Sequence, residues 1–454
     1  SGAVRWGGTL GGIGDGGHYR AYGKYFRRDA LVLASGADAR DDRWMGQGGF
    51  RADWKTSGTD SFTFQGDAYT GRMGETTRDD TNVDGGNLVG RWTRTRSPRS
   101  GLDLQVYWDR THRYIPDLFE EHLDILDLDF QHRLPAGERH DVMWGFGYRW
   151  HHDRVGNSNA VAFLPGERDF DLISAFVQDE VSFLDDRLDV TVGTKLEHND
   201  STGVEVQPSL RAAWKPNDRR TLWGAVSRAV RTPTRIDEDV VFYAPNGSPI
   251  LLGSRDFESE DLLAWELGYR IQLTPELLMD LATFYNVYDD LRSQEPQPGG
   301  PGSGFPRVLA NGLEGETYGA ELRFNAQPVP GWRLQLSYTH LEKDLAPKPG
   351  SRDPFGGLAE GNDPEGRAAL RSLLDLPFGL ELDAWLRYAG ELPSPLVDDY
   401  VELDLHFGWQ PRENLGFSLV GQNLLHESHA EFGPPGPLRE EIERSVYGKV
   451  TWRF

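Results

Sequence analysis

Two histidine-rich segments of the chain have the residue types that bind transition metals. One is the run 151–153, His-His-Asp, and the other is the run 426–431, His-Glu-Ser-His-Ala-Glu. Imidazole and carboxylate groups together suit zinc, copper or a metal chelate. Polar loop residues have the same composition, so a structural role stays open for both segments. We predict no resident metal or cofactor.

The segment 80–85, Asp-Thr-Asn-Val-Asp-Gly, matches the opening of a calcium-binding loop. Oxygen-bearing side chains alternate along it, and the glycine suits a sharp turn. The twelfth position of such a loop is Arg91 instead of the bidentate glutamate. The sequence therefore favours an ordinary Asx/Gly turn in an extracellular loop, and calcium binding stays the alternative.

No catalytic constellation stands out in the sequence. Serines and histidines are scattered, with no G-x-S-x-G elbow and no H-E-x-x-H helix. We expect that the chain is not an enzyme, although a Ser/His pair on a barrel wall stays an alternative. The net charge of −23 argues against a nucleic-acid partner, because nucleic-acid-binding surfaces are basic.

The elements that carry these residues are predicted to be β-strands. Residues 400–409 alternate between an apolar face of Val401, Leu403, Leu405, Phe407 and Trp409 and a polar face of Glu402, Asp404 and His406. The same period of two recurs in residues 62–69, 126–131, 188–197, 263–271 and 332–339.

The low hydropathy of the chain is compatible with a membrane barrel. Mean hydropathy is −0.57 and hydrophobic residues make up 38%, and no run approaches the length of a spanning helix. A spanning strand needs only about 9–11 residues, of which alternate ones are apolar. The sequence thus predicts an all-β, transmembrane antiparallel barrel.

The last strand has the pattern of a barrel strand that ends on an aromatic residue. In residues 443–454 we expect one face toward lipid, formed by Val446, Val450, Trp452 and Phe454. The alternate residues are expected to face a wet lumen, namely Ser445, Tyr447, Lys449, Thr451 and Arg453.

Connections alternate between short and long along the chain, as short periplasmic turns and long extracellular loops do in a barrel. Short turns are expected at 56–60, 97–100, 185–186, 216–219, 274–277 and 411–414. Long connections are expected at 28–42, 154–169, 232–258, 292–306, 342–364 and 427–442. We predict one barrel domain over residues 1–454 with about 21 strands of an expected 22, since bacterial single-chain barrels have even numbers of strands.

Six sequence blocks resemble TonB-dependent outer-membrane receptors, in that family's order. They are 18–25 (HYRAYGKY), 227–235 (SRAVRTPTR), 258–270 (ESEDLLAWELGYR), 284–291 (FYNVYDDL), 311–322 (NGLEGETYGAEL) and 421–425 (GQNLL). The resemblance implies a multi-pass barrel in the Gram-negative outer membrane, in contact with lipid and lipopolysaccharide. It also implies uptake of a scarce solute such as a ferric siderophore, powered by the TonB complex.

The resemblance covers the barrel but not the amino-terminal plug or the first barrel strand of such receptors. We expect that both are absent from this chain, and a second polypeptide is one possible source of them. A plug-less passive pore or a structural barrel subunit of a larger envelope complex is the alternative function. A soluble β-protein is a further alternative, which extraction without detergent would reveal.

Ligand contacts are expected in the long loops, because such receptors capture their substrate with these loops and the upper surface of the plug. The candidate residues lie in or beside long loops and offer cationic and aromatic groups to an anionic or aromatic ligand. They are Arg113, Tyr114, Arg235, Tyr243 and Arg255.

Overall fold

The computed structural model describes residues 2–10, 16–56, 58–297 and 305–453. Almost all regular structure in these residues is β-strand. The strands are β1 Gly2–Leu10, β2 Gly17–Arg28, β3 Val32–Leu33, β4 Arg43–Lys55, β5 Asp60–Met73, β6 Thr81–Ser97, β7 Ser100–Ile115, β8 Phe119–Ala136, β9 His140–Gly156, β10 Val161–Phe163, β11 Glu167–Phe183, β12 Leu188–Asn199, β13 Gly203–Asn217, β14 Arg220–Arg231, β15 Val240–Tyr243, β16 Pro249–Leu252, β17 Glu260–Thr274, β18 Leu277–Pro296, β19 Arg307–Val329, β20 Trp332–Pro347, β21 Gly366–Leu376, β22 Leu380–Ala389, β23 Tyr400–Arg412, β24 Leu415–Gln422, β25 Ser428–His429, β26 Glu440–Glu443 and β27 Ser445–Trp452.

Helices are few and short in the described residues. There is one α-helix, α1 Arg235–Asp239, and there are two 3₁₀ turns, Leu358–Asn362 and Pro377–Gly379. No α-helix in this part of the chain has both the length and the hydropathy needed to cross a bilayer.

One sheet of 24 strands forms the wall of the molecule, and three of its strands, β10, β15 and β16, are short loop strands. The other 21 strands pair antiparallel with their neighbours along the chain, as the sequence predicts. Among the described residues no ladder joins β1 to β27, so a twenty-second strand stays a prediction.

The two faces of the wall differ as the alternation predicts. In β23, Val401, Leu405 and Phe407 are exposed, whereas Glu402 on the opposite face is fully buried. Successive residues of a strand point to opposite sides, so the apolar side chains form an outward band across neighbouring strands. In β27, Val450 pairs with Phe417 of β24 and therefore joins this band. Phe454, predicted to face lipid, lies outside the described residues.

The ends of the wall also differ. Tight turns join the strands at one end, whereas most connections at the other end are long, apart from the three-residue links 116–118 and 200–202. Leu184, Asp185 and Asp186 all have positive φ in the tight turn between β11 and β12. Several predicted long connections are partly regular structure. β18 runs to Pro296 and β20 to Pro347, and the connection 232–258 contains α1, β15 and β16.

The predictions for residues 80–85 were wrong, both as a turn and as a calcium loop. Residues 81–85 are the start of β6, and Asp80 forms an ion pair with Arg72 at 3.0 Å. Gly85 is required there because a β-carbon would meet the carbonyl oxygen of Arg110 and the ring of Tyr69. Close strand packing, not turn formation, explains this glycine.

Candidate functional site

The loop between β14 and β17 folds around the short helix α1 at the long-loop end of the wall. The carboxylate of Asp237, inside the helix, accepts hydrogen bonds from the backbone N–H and the hydroxyl of Thr234, each at 2.9 Å. The bond from the Thr234 N–H to Asp237, the third residue of the helix, is one of the two bonds of a capping box. It holds a helix of five residues, which is too short to persist alone.

Arginines from neighbouring elements converge on the carboxylates of α1. Asp237 is contacted by Arg231 of β14 at 2.9 Å and by Arg292 of β18 at 3.3 Å. Burial by itself raises the pKa of Asp237, but the hydrogen bonds from Arg231 and Thr234 outweigh it and hold that pKa below its usual range. The helix is thus fixed in its charged form to two wall strands.

Asp239 is the second centre of this network. It pairs with Arg235 at 3.1 Å, with Arg168 of β11 at 3.0 Å and with Arg255 at 2.5 Å. Its side chain is fully buried, and buried carboxylates need such partners. The network therefore joins the loop to strands on both sides of it.

An apolar cluster lies beside the ion pairs and anchors the same loop. It contains Val155, Val161, Phe163, Val240, Phe257 and Leu309, all buried. Arg235 lies over the ring of Phe163 at 5.3 Å, and Arg231 lies near Phe257 at 5.7 Å. The loop is thus packed like a small protein core.

Short strands complete the cover at this end. β10 pairs with β15, β15 with β16, and β16 runs parallel to the start of β19. All three residues of β10 are buried. These pairings connect two loops into one layer, which restricts their independent movement.

The five predicted ligand residues do not form one site. Arg235 is buried and pairs with Asp153 and Asp239, so its guanidinium is directed into the protein. Arg255 pairs with the same Asp239, yet half of its side chain is exposed. Tyr243 ends β15 and is half-buried, and its hydroxyl has no hydrogen-bond partner among the described residues.

Arg113 and Tyr114 are consecutive residues of β7 and lie on opposite faces of the wall. Arg113 is 3.7 Å from Glu121 on the inner face. Tyr114 is exposed on the outer face. A ligand inside the wall can contact Arg113, but it cannot also reach Tyr114.

Sequence reasoning missed Arg307, the first residue of β19. Its guanidinium lies 4.6 Å from the ring centre of Phe305 and 4.6 Å from that of Phe355. It has no acidic partner among the described residues. Arg307 is two residues from the buried Leu309 and shares its inward face. A cation held between two rings can bind an anionic or aromatic group.

The histidine segments have structural partners. His151 packs edge-on against Phe170, His152 pairs with Asp169 at 2.9 Å, and Asp153 binds Arg235. Because adjacent strand residues alternate in direction, the run 151–153 cannot direct all three side chains to one metal, which supports the structural alternative. In the second segment His426 and His429 both approach the buried Glu402, at 2.6 and 3.4 Å, which supports the structural alternative.

Comparison with known protein families identifies the family to which this chain belongs. The family model described as "TonB dependent receptor-like, beta-barrel" matches residues 1–424. The chain belongs to this family. It is therefore an outer-membrane β-barrel of Gram-negative type, in a family of receptors and not of enzymes.

Individual relatives agree with that family. An iron-regulated outer membrane virulence protein of Vibrio cholerae is 25% identical over 178 residues, which cover 38% of this barrel and only 27% of that protein. The siderophore receptor PirA from Acinetobacter baumannii superposes with a TM-score of 0.80 at 15% identity, covering 100% of this chain and 77% of that one. A copper transporter, OprC, gives 0.76 at 14% identity, covering 100% and 79%. At these identities the structures establish the fold and not the solute.

Proposed function

We propose that this barrel is the wall and outer gate of a TonB-dependent receptor that takes up a scarce solute of the ferric siderophore class. The observation that carries the proposal is the ordered layer of α1, β10, β15 and β16 at the long-loop end. A wall with a built-in cover suits gated uptake, because substrate-binding loops need defined positions to select a ligand.

The ligand contacts proposed are inward or half-exposed groups beside this layer. Arg255 and Arg292 are each 51% exposed although their partners are buried, so each keeps donors for a ligand. Arg307, stacked between Phe305 and Phe355, adds a cation and two ring faces. Ferric siderophores of the catecholate class are anionic and aromatic, which matches these groups.

Energy coupling is proposed to act through a plug that is not formed by the wall described above. A lumen of this size stays an open channel unless a plug fills it, and TonB would act on that plug. The outward apolar band is proposed to contact outer-membrane lipid, and the polar rim above it lipopolysaccharide.

The alternative is a passive pore or a structural barrel subunit, and conductance distinguishes it from the receptor. Protein extracted from its native outer membrane should conduct weakly in planar bilayers if a plug fills the lumen. Large, steady conductance would contradict the receptor proposal. Uptake of ferric catecholates by iron-limited cells should also stop when TonB is deleted, and uptake that persists would favour the pore.

Ligand contacts are tested by binding of ferric catecholates to whole cells. Arg307→Ala, and Tyr243→Ala combined with Arg255→Ala, should each weaken binding about tenfold or more, as expected for loss of a hot-spot cation or ring. Arg154→Ala is the matched control, since Arg154 is at a similar height and pairs with Glu167 at 3.3 Å on the outward face. Unchanged binding in both test variants would remove these residues from the site.

A further inference from the structure

Two histidines and a glutamate meet on the outer face of the wall, at the long-loop end. His112 lies on the same face of β7 as Trp108, and His122 lies on the same face of β8 as Leu126. Trp108 and Leu126 are exposed members of the outward apolar band. The histidines are four residues beyond them, roughly 13 Å at the rise of a strand. The cluster therefore lies above the lipid-facing band.

The cluster already has the spacing of a metal site. One ligand atom each from His112, Glu120 and His122 can be chosen so that all lie within 4.8 Å of one another. Nε2 of His112 is 2.9 Å and Nε2 of His122 is 3.4 Å from the same oxygen of Glu120. The two imidazole rings are parallel, with their centres 4.3 Å apart. Zinc binds nitrogen and carboxylate oxygen at about 2.0–2.2 Å, so small side-chain rotations would complete the site.

A fourth residue provides the outer partner that metal-binding histidines usually have. Nδ1 of His112 is 2.8 Å from the carboxylate of Asp84 in the neighbouring strand β6. A carboxylate at the far nitrogen fixes the ring and raises the basicity of the nitrogen that binds the metal. Asp84 is therefore a positioning residue for His112.

The backbone holds the ligands close together before any ion binds. β7 and β8 are joined by residues 116–118 alone, and Leu118 donates to the carbonyl of Ile115 at 3.1 Å. His112 and His122 are directly opposite each other in the ladder. Ligands on one tight hairpin lose little entropy on binding, which favours affinity.

Neighbouring charges do not oppose a cation here. Arg110 is held by Asp124 at 2.7 Å, and Arg154 is held by Glu167 at 3.3 Å. Glu167 and Asp169 also bracket His152. An ion can enter from outside, because Glu120 and His122 are 45% and 49% exposed and the histidines line an outward groove of about 540 Å³.

We propose that His112, Glu120 and His122 bind a divalent transition-metal ion of the Zn²⁺ or Cu²⁺ class, with Asp84 orienting His112. Imidazole and carboxylate donors suit these ions better than Mg²⁺ or Ca²⁺, which prefer oxygen ligands. The site is on the outer face, away from the lumen, so the ion is not the transported solute. The ion ties β7 to β8 and is independent of the uptake proposal.

Isothermal titration tests the site with Zn²⁺ itself, on the full chain extracted in detergent and stripped by a chelator. We expect one equivalent to bind. His122→Ala and Glu120→Gln should each weaken binding at least tenfold, and Asp84→Asn should weaken it about 10–100-fold, as outer-partner changes do. Absence of Zn²⁺ binding, or equal binding by wild type and His122→Ala, would overturn the proposal.

Two histidine variants serve as matched controls. His140→Ala removes another outer-face histidine, which pairs with Asp179 at 2.7 Å, and His426→Ala disrupts the Glu402 cluster; both should bind Zn²⁺ as wild type does. Loss of binding in a control but not in His122→Ala would place the ion elsewhere and overturn the proposal. Heat-modifiable gel mobility confirms that each variant is folded.

Copper provides a test that distinguishes direct metal binding by His122 from a purely structural role of that residue. Electron paramagnetic resonance of the Cu²⁺-loaded chain should show coupling to two imidazole nitrogens, and His122→Ala should show one. Two nitrogens in His122→Ala would contradict the assignment of His122 as a ligand.

Discussion

Replacing Asp237 by alanine should release the β14–β17 loop from the wall. The substitution removes the acceptor of four contacts, from the N–H and hydroxyl of Thr234 and from the guanidinium groups of Arg231 and Arg292. Breaking a buried ion pair on one side costs about 3–5 kcal/mol. Arg231 keeps two bonds of 2.7 Å to Glu260 and Arg292 is half exposed, so we expect the lower end, about 3 kcal/mol.

Hydrogen exchange measures this loss locally. A decrease of about 3 kcal/mol corresponds to roughly 100-fold faster exchange for amides of α1 and β15, while the wall strands should exchange as in wild type. Asp256→Ala is the control in the same loop, because Asp256 is exposed and changes at such positions are usually within about 0.5 kcal/mol. If Asp237→Ala leaves the exchange of the loop unchanged, the network does not hold the loop.

Three further predictions concern pH, the lipid face and the second histidine segment. The pKa of Asp237 is held below its ordinary value of 3.8, so the stabilisation that its ion pairs give the loop is present above pH 3.8 and is lost as the pH falls below that value. Hydrogen exchange of the loop amides, corrected for intrinsic rates, should therefore accelerate below pH 3.8 in wild type but not in Asp237→Asn. Leu267→Arg, on the outward band, should lower the free energy of unfolding in bilayers by about 2–4 kcal/mol. Ala225→Arg, on the inner face, should lower that free energy by less. Equal losses in the two variants would contradict the assigned faces. Glu402→Ala removes the buried acceptor of His426 and of the Leu425 N–H, which should cost about 1–3 kcal/mol of stability. Limited proteolysis should therefore cut residues 423–444 faster in Glu402→Ala than in Glu402→Gln. Equal cleavage rates in the two variants would count against Glu402 as the anchor of this segment.

The wall was predictable from sequence because its signals are local. A period of two in residues 400–409 specifies both a strand and its two faces, and neighbouring strands then pair in chain order. The ordered blocks from 18–25 to 421–425 indicated the family for the same reason. The long loops were not predictable in detail, since α1 has five residues and depends on partners from distant strands.

The contacts of the site residues could not be predicted from local sequence signals. Arg235 was expected to contact ligand because it lies in a long connection, and no local pattern shows that Asp153 and Phe163 cover it. Arg307 was missed because its two ring partners are on different loops. The cluster of His112, Glu120 and His122 was missed because its ligands come together only across the β7–β8 ladder, whereas the adjacent histidines 151 and 152 are separated by the wall.

The ion pairs around α1 also affect how a solute approaches. Five arginines, Arg168, Arg231, Arg235, Arg255 and Arg292, are matched there by five carboxylates, Asp153, Asp237, Glu238, Asp239 and Glu260. Their fields cancel within about one Debye length, roughly 8 Å at physiological salt, and the chain as a whole carries −23. An anionic solute is therefore repelled at long range and held only at contact. Its association rate should rise with added salt, the opposite of electrostatically steered capture.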